Sequence, residues 1–304
     1  FSFYFVFEKI SNKEILSKAQ SIKKEILPGG NKAVLTLSDG SKINLDSTVN
    51  GEVAAQSGIN IYKTNDGQLI YKIVSSSEPE NKRELLYNTI STPNGGQYQI
   101  NLPDGTRVWL NAASSLRYPI GFNDKERTIQ LTGEAYFEVA KIIMPDGSLK
   151  PFKVISENQT VEVLGTHFNI NAYTDEPFVR TTLLEGKVSV STSLHDQKIL
   201  SPGQQSVVKD QIDVKNVDAR EEVAWKNGLF RFNSQNIASI MRQIARWYDV
   251  EVIYKGNITE ETFSGSISKY ANVTEVLQML ELTGFVHFII EESSTDTERR
   301  VIVM

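Results

Sequence analysis

Short runs of alternating apolar and polar residues dominate the chain from about residue 30 to residue 217. The runs end at Gly, Pro, Asn or Asp, which are residues typical of turns. Four Asp-Gly pairs punctuate them, and the glycine of such a pair tolerates the positive φ of a tight hairpin. Because no helical period intervenes, the pattern predicts an all-β sandwich, barrel or solenoid. The Asp-Gly pairs are Asp39-Gly40, Asp66-Gly67, Asp104-Gly105 and Asp146-Gly147, and the predicted strands include 34–37, 42–45, 98–102, 107–110, 128–131, 136–139, 161–164, 168–173, 179–184, 187–190 and 204–208.

One of these hairpin patterns occurs twice. Residues 37–46 align with residues 102–111, and each segment reads as a strand, an Asp-Gly turn and a second strand. We therefore predict two equivalent hairpins. Two copies do not establish a solenoid, which usually shows at least three repeats.

The hydrophobic period changes from two to 3.6 after a polar hinge at 218–222. The first helix that follows has one apolar face, with Arg242 and Arg246 on the opposite face. A second helix begins at Asn272, which with Glu275 resembles a capping box, and it ends at Gly284. With strands at 229–232, 250–254, 286–291 and 299–303, the tail reads as a small α+β domain in the order βαββαββ. The apolar face of the first helix comprises Ile237, Ile240, Met241, Ile244 and Tyr248.

Composition narrows the function classes. The 32 basic and 37 acidic side chains give a net charge of −5, and no basic cluster is present, so we expect no nucleic-acid partner. The chain has no cysteine and only three widely spaced histidines, which excludes disulfides, thiol nucleophiles and zinc-finger sites. We predict no cofactor and no metal.

Catalytic motifs are also missing. The sequence contains no Gly-x-Ser-x-Gly elbow, no Gly-rich phosphate loop and no His-Glu-x-x-His helix. Paired glutamates fall at hinges, turns and strand ends, where solvated surface is the simpler interpretation. His167 reads as a residue between a turn and a strand rather than as a catalytic base. The chain is therefore predicted not to be an enzyme.

The first residues admit two interpretations. The chain begins with Phe rather than Met, and we interpret it as a fragment or a processed form. Residues 1–7 are almost all apolar and then give way to Glu8-Lys9, which fits either a buried edge strand or the end of a membrane helix. Seven residues cannot cross a bilayer, which requires about 20.

A series of motifs across residues 90–230 is more specific than any of these patterns. In chain order they are TPNGGQ at 92–97, LPDGT at 102–106, VWLNA at 108–112, SSLRYP at 114–119, LTGEAYFEV at 131–139, VLGTHFNI at 163–170, LEGKV at 184–188, PGQQ at 202–205 and WKNG at 225–228. In this order the chain closely resembles the FecR-type anti-sigma factors of Bacteroidetes. Its tail resembles the secretin/TonB short N-terminal fold that follows in the same family.

The resemblance implies four segments: a membrane-proximal segment 1–28, an N-terminal β-rich part 29–88, a FecR-like β core 89–220 and the α+β domain 221–304. It also implies a single-pass membrane protein whose periplasmic region lies at the inner membrane. The partners it implies are the N-terminal signalling domain of a TonB-dependent outer-membrane transducer and, through a cytoplasmic domain outside this chain, an extracytoplasmic-function sigma factor. On this interpretation residues 1–7 mark the end of the membrane helix.

We place the transducer contact on the α+β domain, because exposed strand edges can accept a partner strand and aromatic side chains often anchor interfaces. The predicted contact residues are Arg231, Tyr254, Phe263 and Tyr270. One alternative is a periplasmic glycan-binding module in which sugars stack on Trp109 and neighbouring tyrosines. A second alternative, a periplasmic hydrolase, is disfavoured by the missing motifs.

Overall fold

The computed structural model describes residues 26–56, 58–73, 86–122, 125–194, 196–292 and 299–304. The chain forms two compact units, one spanning Gly30–Lys226 and the other containing residues 26–29 with Asn227–Met304. The first seven residues, for which two interpretations were open, lie outside the described residues. The predicted segment boundaries at 28, 88 and 220 stay predictions; residues on both sides of 88 belong to the same compact unit.

The unit Gly30–Lys226 is built from short strands, as the alternating pattern predicts. Several coincide with the predicted runs to within two residues at each end, which confirms the mainly β fold. Its strands are β1 (Gly30–Asn31), β2 (Val34–Thr36), β3 (Lys42–Asn44), β4 (Gly51–Gln56), β5 (Ile59–Lys63), β6 (Leu69–Ile73), β7 (Tyr87–Thr92), β8 (Gly96–Asn101), β9 (Arg107–Leu110), β10 (Ser114–Pro119), β11 (Arg127–Glu138), β12 (Phe152–Ser156), β13 (Gln159–Val163), β14 (His167–Ala172), β15 (Val179–Glu185), β16 (Val188–Thr192), β17 (Gln197–Leu200), β18 (Gln204–Val208) and β19 (Ile212–Asn216).

These strands form two layers that share β11. The first layer has the order β3-β2-β7-β10-β11-β12-β13-β16-β17. The second layer has the order β4-β5-β6-β8-β9-β11-β14-β15-β18-β19, and β1 pairs in parallel with β8. Most neighbours are antiparallel, and several consecutive pairs are joined by tight turns. All four Asp-Gly pairs lie in turns, and each of their glycines has φ between 81° and 84°.

The shared strand turns from one layer to the other at Gly133. Residues up to Thr132 pair with β10, whereas residues from Gly133 onward pair with β14, and from Ala135 with β9 as well. Gly133 has φ +86°, a conformation that an L side chain rarely adopts. Sequence patterning predicted two separate strands here, at 128–131 and 136–139, because a central glycine resembles a strand end.

Inward-facing side chains of both layers meet in one hydrophobic core. Phe137 stacks on Phe168 with ring centroids 4.9 Å apart and contacts Phe152 of the first layer at 6.4 Å. The charged side chain of Arg127 is fully buried within this unit. Its two terminal nitrogens donate to Asp104 at 2.8 Å and to the carbonyls of Ala140 and Lys150, and the Asp104 carboxylate compensates the buried charge.

Residues 219–227 close the first unit and lead into the second. The hinge predicted at 218–222 is a short helix, α1 (Ala219–Glu222), whose N-cap Asp218 accepts from the Arg220 amide at 3.0 Å. A 3-10 turn, Ala224–Asn227, follows it.

The second unit has the predicted order βαββαββ. The predicted N-cap of its second helix is present as well: Asn272 accepts from the Glu275 amide at 2.9 Å and donates to its carboxylate at 3.0 Å. Arg246, predicted on the helix face opposite the apolar one, is only 9% exposed. The elements are β20 (Leu229–Asn236), α2 (Ile237–Tyr248), β21 (Glu251–Tyr254), β22 (Thr262–Ser268), α3 (Val273–Glu281), β23 (Phe288–Glu292) and β24 (Arg299–Val303). β20 pairs with β22, while β21, β24 and β23 form a second sheet in that order.

Candidate functional site

Three of the four predicted contact residues lie on the surface of the second unit. Arg231 is exposed on β20, Tyr254 is 41% exposed at the end of β21, and Tyr270 is 59% exposed after β22. Phe263 differs, because its side chain is only 4% exposed and belongs to the packed interior of the unit. Burial therefore removes Phe263 from the residues that a partner could contact without rearrangement.

Tyr270 is held in place although it is exposed. Its ring lies against the backbone of Gly228, where an added Cβ would come within 2.6 Å of a ring carbon. It also meets the Trp247 ring edge-on at 6.4 Å, and the Trp247 indole donates to the Lys269 carbonyl at 2.7 Å. Because the ring is already held in one position, it loses little conformational entropy when a partner binds, and this favours Tyr270 as a contact residue.

Sequence reasoning missed a second group of exposed apolar side chains in this unit. They lie on β23, in the connection that leads into it, and at Met304 opposite its start, and β23 is an edge strand among the described residues. Helical or strand periodicity does not identify them, because they are spread over a loop, a strand and the last residue. Their exposed fractions are 69% for Leu282, 51% for Phe285, 41% for Ile289 and 39% for Met304.

The backbone of β23 leaves hydrogen-bonding groups directed away from its sheet. His287 and Met304 exchange both backbone hydrogen bonds, at 3.0 and 2.9 Å. Hydrogen-bonded and non-hydrogen-bonded residue pairs alternate along an antiparallel ladder. Phe288 and Ile290 therefore direct their amides and carbonyls away from β24, toward the unpaired edge of β23. The Phe288 amide donates to the Glu281 carboxylate at 2.7 Å, and the same carboxylate pairs with His287. Ile290 thus offers both a donor and an acceptor at the edge.

The first unit carries a pocket of about 210 Å³ on the outer face of its second layer. We call it the indole pocket, because two of the three tryptophans line it. Trp109 on β9, the residue predicted to stack on sugars, forms one part of the wall. No sequence pattern pointed to the three glutamines in the wall, which come from distant segments. Its lining residues are Asn31, Asp66, Gly67, Gln68, Gln97, Tyr98, Gln99, Trp109, Leu110, Trp225 and Lys226.

Polar side chains in the indole pocket are ordered by one another. The Gln68 amide donates to Asp66 at 2.6 Å, and its oxygen accepts from Gln99 at 3.1 Å and from Asn101 at 3.2 Å. The Tyr98 hydroxyl donates to the Gly67 carbonyl. Burial raises the pKa of Tyr98 to about 12, with a smaller contribution from Asp66, so the phenol stays protonated at neutral pH.

Trp225 and Lys226, at the end of the first unit, are fixed to the second layer. The Trp225 indole donates to Asn169 at 3.3 Å. The Lys226 ammonium lies 4.2 Å from the Trp109 ring centre and 4.5 Å from that of Tyr136, and it pairs with Glu138 at 3.7 Å. We call this arrangement the 225–226 anchor. It joins the end of the unit to β9, β11 and β14, which are adjacent strands.

The described residues contain no group of three or more His, Asp or Glu side chains that could hold a metal ion. His167 is 39% exposed and pairs with Glu185 at 3.2 Å, so it lies on the surface as a strand residue. Of the helices in the described part of the chain, none has the length and hydrophobicity needed to cross a bilayer.

Comparison with known proteins agrees with the motif series. The family profile "FecR protein" matches residues 88–189, and the profile "FecR, C-terminal" matches residues 229–296. Among curated proteins, none matches this chain.

Two crystal structures of a protein assigned as an anti-sigma factor from Parabacteroides distasonis ATCC 8503 are similar to this one. Both share 31% sequence identity with it. The structure at 1.65 Å aligns with a TM-score of 0.63 over 71% of this chain and 98% of the other. The structure at 2.50 Å aligns with a TM-score of 0.64 over 72% and 98%. Two ordered profile matches and a relative covered almost completely show that the chain belongs to the FecR family of anti-sigma factors.

Proposed function

We propose that this chain is the periplasmic signal-receiving region of a transmembrane anti-sigma factor. Its partner in the periplasm is the N-terminal signalling domain of a TonB-dependent outer-membrane transducer. Its output is control of an extracytoplasmic-function sigma factor through a cytoplasmic domain outside this chain. Family membership supports a regulatory and non-enzymatic role, and FecR proteins are typically membrane-anchored with a periplasmic region.

The observation that carries this proposal is the open edge at β23. Within the described part of the chain, Ile290 directs a donor and an acceptor away from the sheet, and the exposed apolar side chains of Ile289 on the strand and Phe285 shortly before it lie in the same region of the sequence. An extended segment of a partner can add to such an edge through main-chain hydrogen bonds, while the apolar side chains supply buried area. This edge lies in the part of the chain that matches the FecR C-terminal profile.

Arg231, Tyr254 and Tyr270 are the contact side chains we propose in addition. Burial raises the pKa of Tyr254 and outweighs the opposite effect of the nearby Arg242 charge, so its hydroxyl is a neutral hydrogen-bond donor. Arginine and tyrosine are enriched among the residues that contribute most to binding at protein interfaces.

The test is binding of the whole chain to the signalling domain of the transducer encoded beside it, measured by calorimetry. We expect saturable binding in the micromolar range or tighter, about −8 kcal/mol. Ile290→Pro removes the outward donor and is expected to weaken binding about tenfold or more, whereas Ile290→Val keeps the donor and serves as its control.

The side-chain contacts are tested in the same assay by the double substitution Tyr254→Ala with Tyr270→Ala. Normal binding by that variant would reject those two residues as contacts. Absence of binding by the unaltered chain would reject the receiver function itself.

A further inference from the structure

We propose that the indole pocket binds the end of a neutral oligosaccharide. This inference goes beyond the receiver function, because the pocket lies in the unit Gly30–Lys226 and the proposed transducer contact lies in the other unit. The two proposals can therefore fail independently.

Aromatic surface is the first requirement of a sugar site, since the C–H groups of a pyranose ring pack on an aromatic face. Trp109 and Trp225 both line the pocket and both are only partly buried. Elsewhere in the protein, Trp247 is 2% exposed and packed in the other unit. Both indoles keep part of their surface exposed at one concave site and can supply apolar area to a ligand, while the Lys226 ammonium lies over part of the Trp109 ring.

Amide side chains supply the second requirement. Gln68, Gln97 and Gln99 line the pocket with the tryptophans. Each carboxamide both donates and accepts, which matches sugar hydroxyls that do the same. The hydrogen bonds from Gln68 to Asp66 and from Gln99 to Gln68 fix the orientation of two of these amides before a ligand arrives. Such preorganisation lowers the entropic cost of binding.

The charge and size of the pocket define the ligand further. The lining contains one carboxylate, Asp66, and one ammonium, Lys226, which already pairs with Glu138 and contacts two aromatic rings. Among these lining residues there is no cluster of basic side chains to hold a sulfate, phosphate or uronic acid group. At about 210 Å³ the pocket is smaller than the ~300–1,000 Å³ typical of drug-sized ligands, so it fits a chain end rather than a long oligosaccharide.

Tryptophan fluorescence and calorimetry on the whole chain test this site. The probes are short neutral gluco-, manno-, galacto- and xylo-oligosaccharides at millimolar concentration, with a sulfated oligosaccharide as the charged comparison. We expect at least one neutral sugar to bind saturably and to shift the emission, because two of the three tryptophans line the pocket. The sulfated probe is expected not to bind.

Variants locate the binding. Trp109→Leu keeps an apolar side chain but removes the ring, and is expected to abolish binding. Gln97→Ala is the milder variant and is expected to weaken binding about fivefold to tenfold. Gln197→Ala, on β17 in the first layer and outside the pocket, is the matched control and should bind normally. No saturable binding to any neutral probe, or equal loss with Gln197→Ala, would overturn the proposal.

Discussion

Gly133 makes the two-layer fold possible at a single residue. Its positive φ lets β11 leave the first layer and continue in the second without interruption of the chain direction. Ser114 and Ala113 approach so closely that an added Cβ would lie 2.8 Å from the Ser114 Cα and 2.9 Å from the Ala113 carbonyl oxygen. Both backbone conformation and space therefore require glycine here.

Gly133→Ala is expected to lower the free energy of unfolding of the Gly30–Lys226 unit by about 2–4 kcal/mol, from left-handed backbone strain and overpacking together. Gly40→Ala is the matched control. Gly40 has nearly the same φ, +84°, but no atom lies within 4 Å of the position that an added Cβ would take, so about 1–2 kcal/mol is expected. Chemical denaturation measures both, and equal losses would show that the close contact is relieved by a backbone shift.

Residue-scale features are predictable where they depend on neighbours in sequence. The Asn272 cap and the Asp-Gly turns follow from local hydrogen bonding and local backbone freedom, and both are present. Arg246 and Phe263 depend instead on what packs over them from elsewhere in the chain. Helical periodicity predicts that Arg246 lies opposite the apolar face, but not that tertiary packing covers it.

At the scale of elements, the last residues of the first unit are attached to it by side-chain contacts, those of the 225–226 anchor, and not by strand pairing. Lys226 contributes two cation–π contacts and one ion pair, with Trp109, Tyr136 and Glu138. The side chain is only 21% exposed, so solvent weakens these interactions less than it would on an open surface.

Lys226→Met is expected to make backbone amides at 223–228 exchange with solvent about 5- to 30-fold faster, because about 1–2 kcal/mol of local stability is lost. Hydrogen–deuterium exchange measures this directly. Lys198→Met, on β17, removes a comparable but half-exposed ion pair with Asp196 and should leave exchange at 223–228 unchanged. Unchanged exchange in the Lys226 variant would mean that Trp225 alone holds the segment.

The sequence predicts the strands and helices better than it predicts the sites that they form. The strands and the βαββαββ order follow from hydrophobic period and turn residues, which are local properties. The indole pocket is assembled from segments near residues 31, 66–68, 97–99, 109–110 and 225–226. No local pattern brings these segments together, so the sequence points to Trp109 by its residue type but not to the glutamines beside it.

At the scale of the whole molecule, buried phenols make stability depend on alkaline pH. Burial raises the pKa of Tyr71, Tyr98 and Tyr136 to about 12, above the value near 10 of an unfolded chain. A raised folded-state pKa means that the stabilisation is fully present below pH 10 and is lost as the pH rises toward 12. All three residues belong to the Gly30–Lys226 unit.

We expect the unfolding midpoint in denaturant to be constant from pH 7 to 9 and to fall between pH 10 and 12, with about 1–3 kcal/mol lost per phenol. Tyrosinate absorbance followed over the same range should show a group of tyrosines that ionises only as the protein unfolds. A midpoint that does not change up to pH 12 would mean that these phenols ionise within the folded protein.

The 225–226 anchor also has a mechanical consequence. Tension applied to the chain beyond Lys226 is carried first by the contacts of Trp225 and Lys226 with β9, β11 and β14, not by the hydrogen bonds of β19 alone. These three strands are neighbours at the centre of the second layer, and β11 continues into the first. A force applied at this point is therefore distributed over both layers. β19 can separate from β18 only after the contacts of Trp225 and Lys226 have broken.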